Sequence, residues 1–269
     1  MSERSQPARD EFFVGYLPQA PPVLARWLRG RVLALLLLVA ATAAVLVVSQ
    51  RPFDRSVFEF GVTRSFEGRI ELAPYPTLVV ERPGLRAGDV PAVSRYLLVS
   101  FGKRGAPAAV RELAGRRVRL EGSLVYRDDR TMIELAGSAL QVLSAGTEDA
   151  GAGGGGGPGP ADEDLGERTL RGEIVDSKCF LGVMKPGNLK PHRACATRCI
   201  SGGVPPVLLV RDEEGRARYL LLASADGRAV NEDVLGMIAE PIEITGRVLR
   251  LGDLHVLRAD PAGYRRIPD

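Results

Sequence analysis

Cys179, His192, Cys195 and Cys199 fall within 21 residues, in the run DSKCFLGVMKPGNLKPHRACATRC. The chain has three cysteines and two histidines, so this window holds every cysteine and half of the histidines. Thiolate and imidazole are soft to borderline ligands, and three of one with one of the other make a complete tetrahedral Cys3His set for zinc. The spacing, C-x12-H-x2-C-x3-C, lacks the close C-x2-C pair of the common zinc modules. Thiol chemistry is the other use for such a cluster.

Several readings are open at this level. One is a closed Cys3His zinc site. Another is a disulfide with one cysteine left over; Cys179 paired with Cys195 or Cys199 suits disulfide geometry better than two cysteines four apart on one helix. A third is copper or iron, with Met184 as an extra soft donor. A c-type haem is excluded, since there is no CxxCH. From Ser177 to Cys199 there are five basic residues (Lys178, Lys185, Lys190, Arg193 and Arg198) and no acidic one. Positive charge favours thiolate over thiol and offsets the negative charge of a metal–thiolate centre. Asp176, just before the cluster, is placed to orient a ligand or to cap a turn. His255 reads as an ordinary strand residue.

The helix that would carry these ligands is readable. Pro191 is a plausible first helical residue and Gly202–Gly203 a plausible stop. At about 100° per residue, Cys195 lies about 300° on from His192 and Cys199 about 700°, so all three share a face within about 60°. Cys179, on a loop after the strand GEIVD, closes the site from outside.

The second half resembles a group of bacterial extracytoplasmic domains with the pattern G-x-I-x-D-S-x-C, a histidine, C-x3-C, then Gly and a hydrophobic strand. Here those positions are Gly172, Ile174, Asp176, Ser177, Cys179, His192, Cys195, Cys199, Gly202 and Gly203. The resemblance covers about 40 residues. It implies that the cluster acts as one unit and adds no reaction. C-x3-C also resembles the copper motif of cytochrome oxidase assembly proteins, but their thioredoxin-like fold and distant histidine are not seen in this sequence.

Val32 to Val48 is an uncharged apolar run of 17 residues, at the short end of the roughly 17–25 that span a bilayer. Trp27 stands near its start, Arg26, Arg29 and Arg31 flank its N-terminal side, and Arg51 and Arg55 flank the other. That bias predicts a single-pass anchor in the inner (cytoplasmic) membrane, with the tail 1–31 cytoplasmic and the body extracytoplasmic. A cleaved signal peptide is the alternative; its start would be late and no small-x-small site follows. Phe12, Phe13, Tyr16 and Leu17 suit a tail lying on the membrane or docking a membrane partner.

Residues 146–168, GTEDAGAGGGGGPGPADEDLGER, read as a Gly-rich flexible linker between two parts, 56–145 and 169–269. The parts look like copies. SFEGRIEL matches TLRGEIVD, and Arg95–Val99 matches Arg218–Leu222. Short helical stretches follow at Pro107–Leu113 and at Asn231–Ala239, the latter with Asn231 as N-cap. VRLEGSLVY then matches IEITGRVLR, and TMIEL matches LHVLR. Three strands, a helix and two strands is the order of the OB-fold. The expected class is mainly β: one transmembrane helix, then two tandem OB-like small β-barrels, the second carrying the Cys/His insertion. Gly122 and Gly246 suit bends where each barrel closes.

The formal charge of +3 is near balance and suggests no nucleic-acid partner. The chain carries no nucleophile elbow, phosphate loop or HExxH, so an accessory role is expected before a catalytic one. The sequence predicts a membrane-anchored extracytoplasmic accessory protein. It would hold zinc, or alternatively copper, at Cys179, His192, Cys195 and Cys199, and bind or assemble a membrane redox complex. A thiol-redox protein and a ligand-binding module with a structural disulfide are the competing functions.

Overall fold

The computed structural model describes residues 21–49, 56–82, 92–128, 130–144, 162–213 and 215–268. The chain divides into two compact units, Met1–Asp54 and Arg55–Asp269. The tail residues singled out above, Phe12 to Leu17, lie outside the described residues, as do Arg51, Arg55 and 146–161 of the linker.

In the first unit, helix α1 runs Pro22–Ser49. Pro22 is its first residue, where a missing N–H costs nothing. The helix starts earlier than the apolar run, so Arg26, Arg29 and Arg31 lie on it rather than in a tail. Within its span Leu24–Ser49, an 18-residue stretch has a mean hydropathy of 2.8, and the helix is long and apolar enough to cross a membrane. Leu37, Val39 and Val48 are all well exposed, and no amphipathic stripe organises the surface. A retained anchor and a signal segment share these properties.

The second unit is mainly β. Its strands are β1 (Ser56–Phe58), β2 (Arg64–Glu71), β3 (Thr77–Arg82), β4 (Ala92–Ser100) and β5 (Arg104–Gly105), followed by a one-turn helix α2 (Ala108–Arg111), β6 (Arg117–Arg127) and β7 (Arg130–Ser144). The second half has β8 (Asp162–Asp176), helix α3 (Leu189–Ser201), β9 (Pro206–Arg211), β10 (Ala217–Ala223), β11 (Pro241–Leu251), β12 (Leu254–Arg258) and β13 (Arg265–Arg266).

Five strands close each barrel. In the first, β2 pairs with β3, β3 with β4, β4 with β7, β7 with β6, and β6 returns to β2. In the second, the cycle is β8, β9, β10, β12, β11 and back to β8. One pair in each cycle is parallel, β4 with β7 and β10 with β12. This matched order is consistent with the OB-like expectation. The two halves also share their tight contacts. A Cβ on Gly68 or Gly172 would meet the carbonyl oxygen of Val79 or Leu209 on the next strand, and one on Gly122 or Gly246 would meet that of Glu134 or Arg258. In β6, Val118 and Leu120 are buried and Arg117, Arg119 and Glu121 are exposed, the period-two alternation of a strand with one face on a core.

Three readings are corrected. The segment 162–168 is not linker; it begins β8, which pairs with β11 from Asp162↔Leu251 onward. Its acidic residues, which made it look like linker, meet arginines across the pair, as in Arg247–Asp164 at 2.6 Å. Asn231–Ala239 is not a regular helix, and only Leu235–Met237 forms a 3-10 turn. Asn231 is not its N-cap, because its amide donates to the carbonyls of Ile200 and Val204 at 2.8 and 2.9 Å. The expected helix at Pro107–Leu113 shrinks to α2, with Pro107 as its N-cap.

Each barrel has its own interior, built on Ile70, Leu98, Val118 and Ile133 in the first and Ile174, Leu208, Ile244 and Leu257 in the second. A third core lies between them. Leu97, Val99, Val125 and Met132 of the first barrel pack there with Val175, Phe180, Leu209 and Val256 of the second. The barrels are therefore fused through a shared apolar layer.

Candidate metal centre

The Cys/His insertion joins the first two strands of the second barrel. Where the first barrel crosses from β2 to β3 through residues 72–76, the second runs from Asp176 to Pro206. Cys179 is not on an open loop as expected, but opens a single π-type turn, Cys179–Val183, directly after β8. Asp176 accepts the Cys179 N–H at 2.8 Å and so fixes the start of that turn.

Helix α3 begins at Leu189, two residues before Pro191, with Asn188 as N-cap. The N-cap side chain makes no capping bond; instead the Leu189 N–H donates to the Glu173 carboxylate of β8 at 2.8 Å. His192, Ala196, Cys199 and Ile200 are buried, the i, i+4, i+7, i+8 stripe of a helix lying on a core. The helix ends as expected at Gly202, and Gly203 follows with φ of +94°.

These elements bring the three sulfurs together. Cys179 Sγ lies 3.9 Å from Cys195 Sγ and 4.0 Å from Cys199 Sγ, and all three fall within 4.8 Å of one another. Cys179 and Cys199 are buried in the layer between the barrels, and Cys195 is half-buried at its edge. All three are free thiols. A disulfide needs about 2.05 Å between sulfurs. A metal with bonds of about 2.3 Å to sulfur holds its sulfurs about 3.8 Å apart at tetrahedral angles and about 4.0 Å at trigonal ones. The observed spacing matches a shared ion and not a bond.

His192 belongs to a second, overlapping group. Its Nε2 lies 2.9 Å from Asp176 Oδ2, both side chains being buried, and Asp176, Cys179 and His192 again lie within 4.8 Å of one another. The four predicted ligands, together with Asp176, thus form two triads that share Cys179. An imidazole N–H donated to a carboxylate is the usual support of a metal-bound histidine, because it leaves the other ring nitrogen as the ligand. Met184 is 43% exposed. His255 sits in β12, where its Nδ1 lies 2.7 Å from Arg130 Nη2.

The charges around the sulfurs differ from the sequence reading. Lys178 points into the first barrel, where it donates to the carbonyls of Ser100 and Gly102 at 2.8 and 2.7 Å and pairs with buried Glu134. Arg193 pairs with Glu240. The cation that reaches a sulfur is Lys103, whose Nζ lies 3.2 Å from Cys195 Sγ. It stands in the β4–β5 turn of the other barrel, 92 residues away in sequence, and nothing in the motif pointed to it. Its contact with Cys195 raises the Lys103 ammonium above its ordinary range. Among the thiols themselves, the Cys179–Cys199 contact acts first. With burial, it pushes Cys179 up, and it holds Cys199 down. Without metal, then, Cys179 keeps its proton and shares it with Cys199.

The joint is tight beside the site. Gly105 N–H donates to the Gly202 carbonyl at 2.9 Å, and a Cβ on Gly202 would fall 2.0 Å from the Lys103 carbonyl oxygen. The turn carrying Lys103 and the end of α3 are pinned to each other.

No protein family matches the chain, and no curated protein does. A solved structure of a deletion mutant of the single-stranded DNA binding protein from Thermus aquaticus is similar over 80% of this chain and 90% of its own, at 14% identity and a TM-score of 0.22. The expectation that nucleic acid is not a partner is withdrawn. A likeness this weak carries no argument about what the chain binds. The exclusion itself also rested on a sum: +3 is a total over the chain, whereas Arg127, Arg130, Arg168 and Arg218 line a single groove.

Proposed function

We propose that Cys179, Cys195 and Cys199 bind one metal ion, zinc before copper, with His192 completing the set. The observation that carries this is the 3.9 and 4.0 Å spacing of three free sulfurs in the layer between the barrels. The charge is consistent: three thiolates around a divalent ion leave one negative charge, and Lys103 stands against it. When bound, the ion would cross-link the π-type turn and α3 and, through Lys103, the first barrel. Asp176 holds His192 and the Cys179 backbone in place, and the apolar layer excludes water.

The role we infer is that of a membrane-anchored accessory protein. α1 would cross the inner membrane once, with Arg26, Arg29 and Arg31 favouring a cytoplasmic N-terminus, and the fused barrels would stand outside as a rigid docking body for a membrane redox complex. The absence from the sequence of a recognised catalytic motif agrees with this role. A second reading, a thiol-redox protein, has one observation in its favour: Cys195 is only half-buried and has the Lys103 ammonium beside it.

Metal and thiol analysis of the full chain, purified anaerobically in detergent, separates these. The metal reading expects one zinc per chain and thiols that react only after a chelator is added. Metal-free protein with one fast-reacting thiol would support the redox reading instead.

A further inference from the structure

Away from the sulfurs the fold offers a groove of about 640 Å³, within the roughly 300–1,000 Å³ range of small-molecule sites. It opens where the β6–β7 turn of the first barrel faces β8 and β10 of the second. Its apolar lining includes Phe180, Tyr219, Leu170, Leu220 and Val248. Among the described residues, its charged lining is Arg127, Arg130, Arg168 and Arg218, with Asp128. His255 also lines it; its Nδ1 faces Arg130 Nη2 at 2.7 Å. An arginine has no acceptor, so that ring nitrogen is the acceptor and the imidazole is neutral.

The cations and rings are organised. The Arg127 guanidinium lies 4.1 Å from the Phe180 ring centroid and that of Arg130 lies 5.9 Å from the Tyr219 ring centroid, while the two rings meet edge to face at 5.8 Å. Guanidinium stacked on a ring keeps its N–H groups in the plane at the edge, the geometry that grips a phosphate or carboxylate. The two aromatic side chains offer flat apolar surface beside that positive edge.

We propose that this groove binds an organic anion with a flat, apolar body: a ring-bearing phosphate, sulfonate or carboxylate of small-molecule size. The guanidinium groups select the anion, the aromatic floor selects the ring, and the volume limits the size. Neither half of the surface is complete in one barrel, so the site exists only because the barrels are fused. It does not depend on metal at the cysteines.

The test uses the full chain in a neutral detergent with 2-naphthyl phosphate as the probe, followed by fluorescence anisotropy. The expected result is saturable one-to-one binding that inorganic phosphate competes for at least about tenfold more weakly than the probe binds, since it lacks the ring. The double variant Arg168→Ser/Arg218→Ser removes two exposed cations, leaves both cores intact, and weakens the probe by about tenfold or more. Retention of the parent's circular-dichroism spectrum and unfolding midpoint by that variant shows that it is folded. No saturable binding, or binding unchanged in the double variant, would overturn the proposal. Displacement of the probe by a short single-stranded oligonucleotide more tightly than by any small ring-bearing anion would also overturn it, and would assign the groove to a nucleic-acid strand.

Discussion

The two carboxylate oxygens of Asp176 hold two different groups: Oδ1 the backbone of Cys179 and Oδ2 the imidazole of His192. As an acceptor, the carboxylate keeps the proton on Nε2 and the lone pair on Nδ1. Asp176→Asn changes little in shape, but its amide can donate to Nε2 and so drive the proton to Nδ1. If His192 is a ligand, the variant loses about 10–100-fold in metal affinity, the usual cost of removing such a support. Competition against a chromophoric chelator measures this, and an unchanged affinity would remove His192 from the centre while leaving the sulfurs in it. The sulfur cluster was readable because its information is local: C-x3-C on a helix face, and a third cysteine at the end of the preceding strand. Lys103 was not readable, because the packing of two barrels brings it there and no spacing within the motif encodes that. The basic run in the motif misled for a related reason, since Lys178 is used by Glu134 across the joint.

Helix α3 and the π-type turn before it are the elements that bring the candidate metal ligands to an OB-like barrel. α3 stops where Gly202 abuts the Lys103 carbonyl, so its last turn and the β4–β5 turn share one tight contact. Gly202→Ala puts a methyl group into that backbone and should destabilise the body by about 1–3 kcal/mol, as overpacking does. Denaturant unfolding measures the loss, and a variant as stable as the parent would show that the contact yields easily. Strand order was legible from alternation, as in β6, where charged and apolar residues change places at each step. The start of β8 was not, because its charges pair with those of β11 and mimic the composition of a linker. The stretch 231–239 failed differently: its helix-like start is an asparagine whose side chain is already committed to the carbonyls of Ile200 in α3 and of Val204 just beyond it.

At the scale of the molecule, the notable feature is the third core, which makes the two barrels one body. Tyr75 ties it at the centre, donating to the Leu222 carbonyl at 3.1 Å and accepting from Val230 N–H at 3.0 Å, both in the other barrel. Burial raises its phenol well above the ordinary value of 10.0, and Tyr264 is raised for the same reason. A raised folded-state value contributes stability that is intact below about pH 10 and declines as pH climbs above it, because the unfolded chain ionises there and the folded one does not. Tyr75→Phe leaves the Leu222 and Val230 groups unpaired and should cost about 1–3 kcal/mol at neutral pH, while making the decline above pH 10 shallower. Unfolding curves from pH 7 to 11 test both parts; a parallel decline in the two proteins would contradict the assignment to Tyr75. The whole account turns on sulfur meeting one ion between the barrels. X-ray absorption at the zinc edge of the intact, metal-loaded chain tests that most directly. Three sulfur scatterers at about 2.3 Å with one nitrogen near 2.0 Å is the expected shell; a shell of nitrogen and oxygen alone, or a single sulfur, would contradict it.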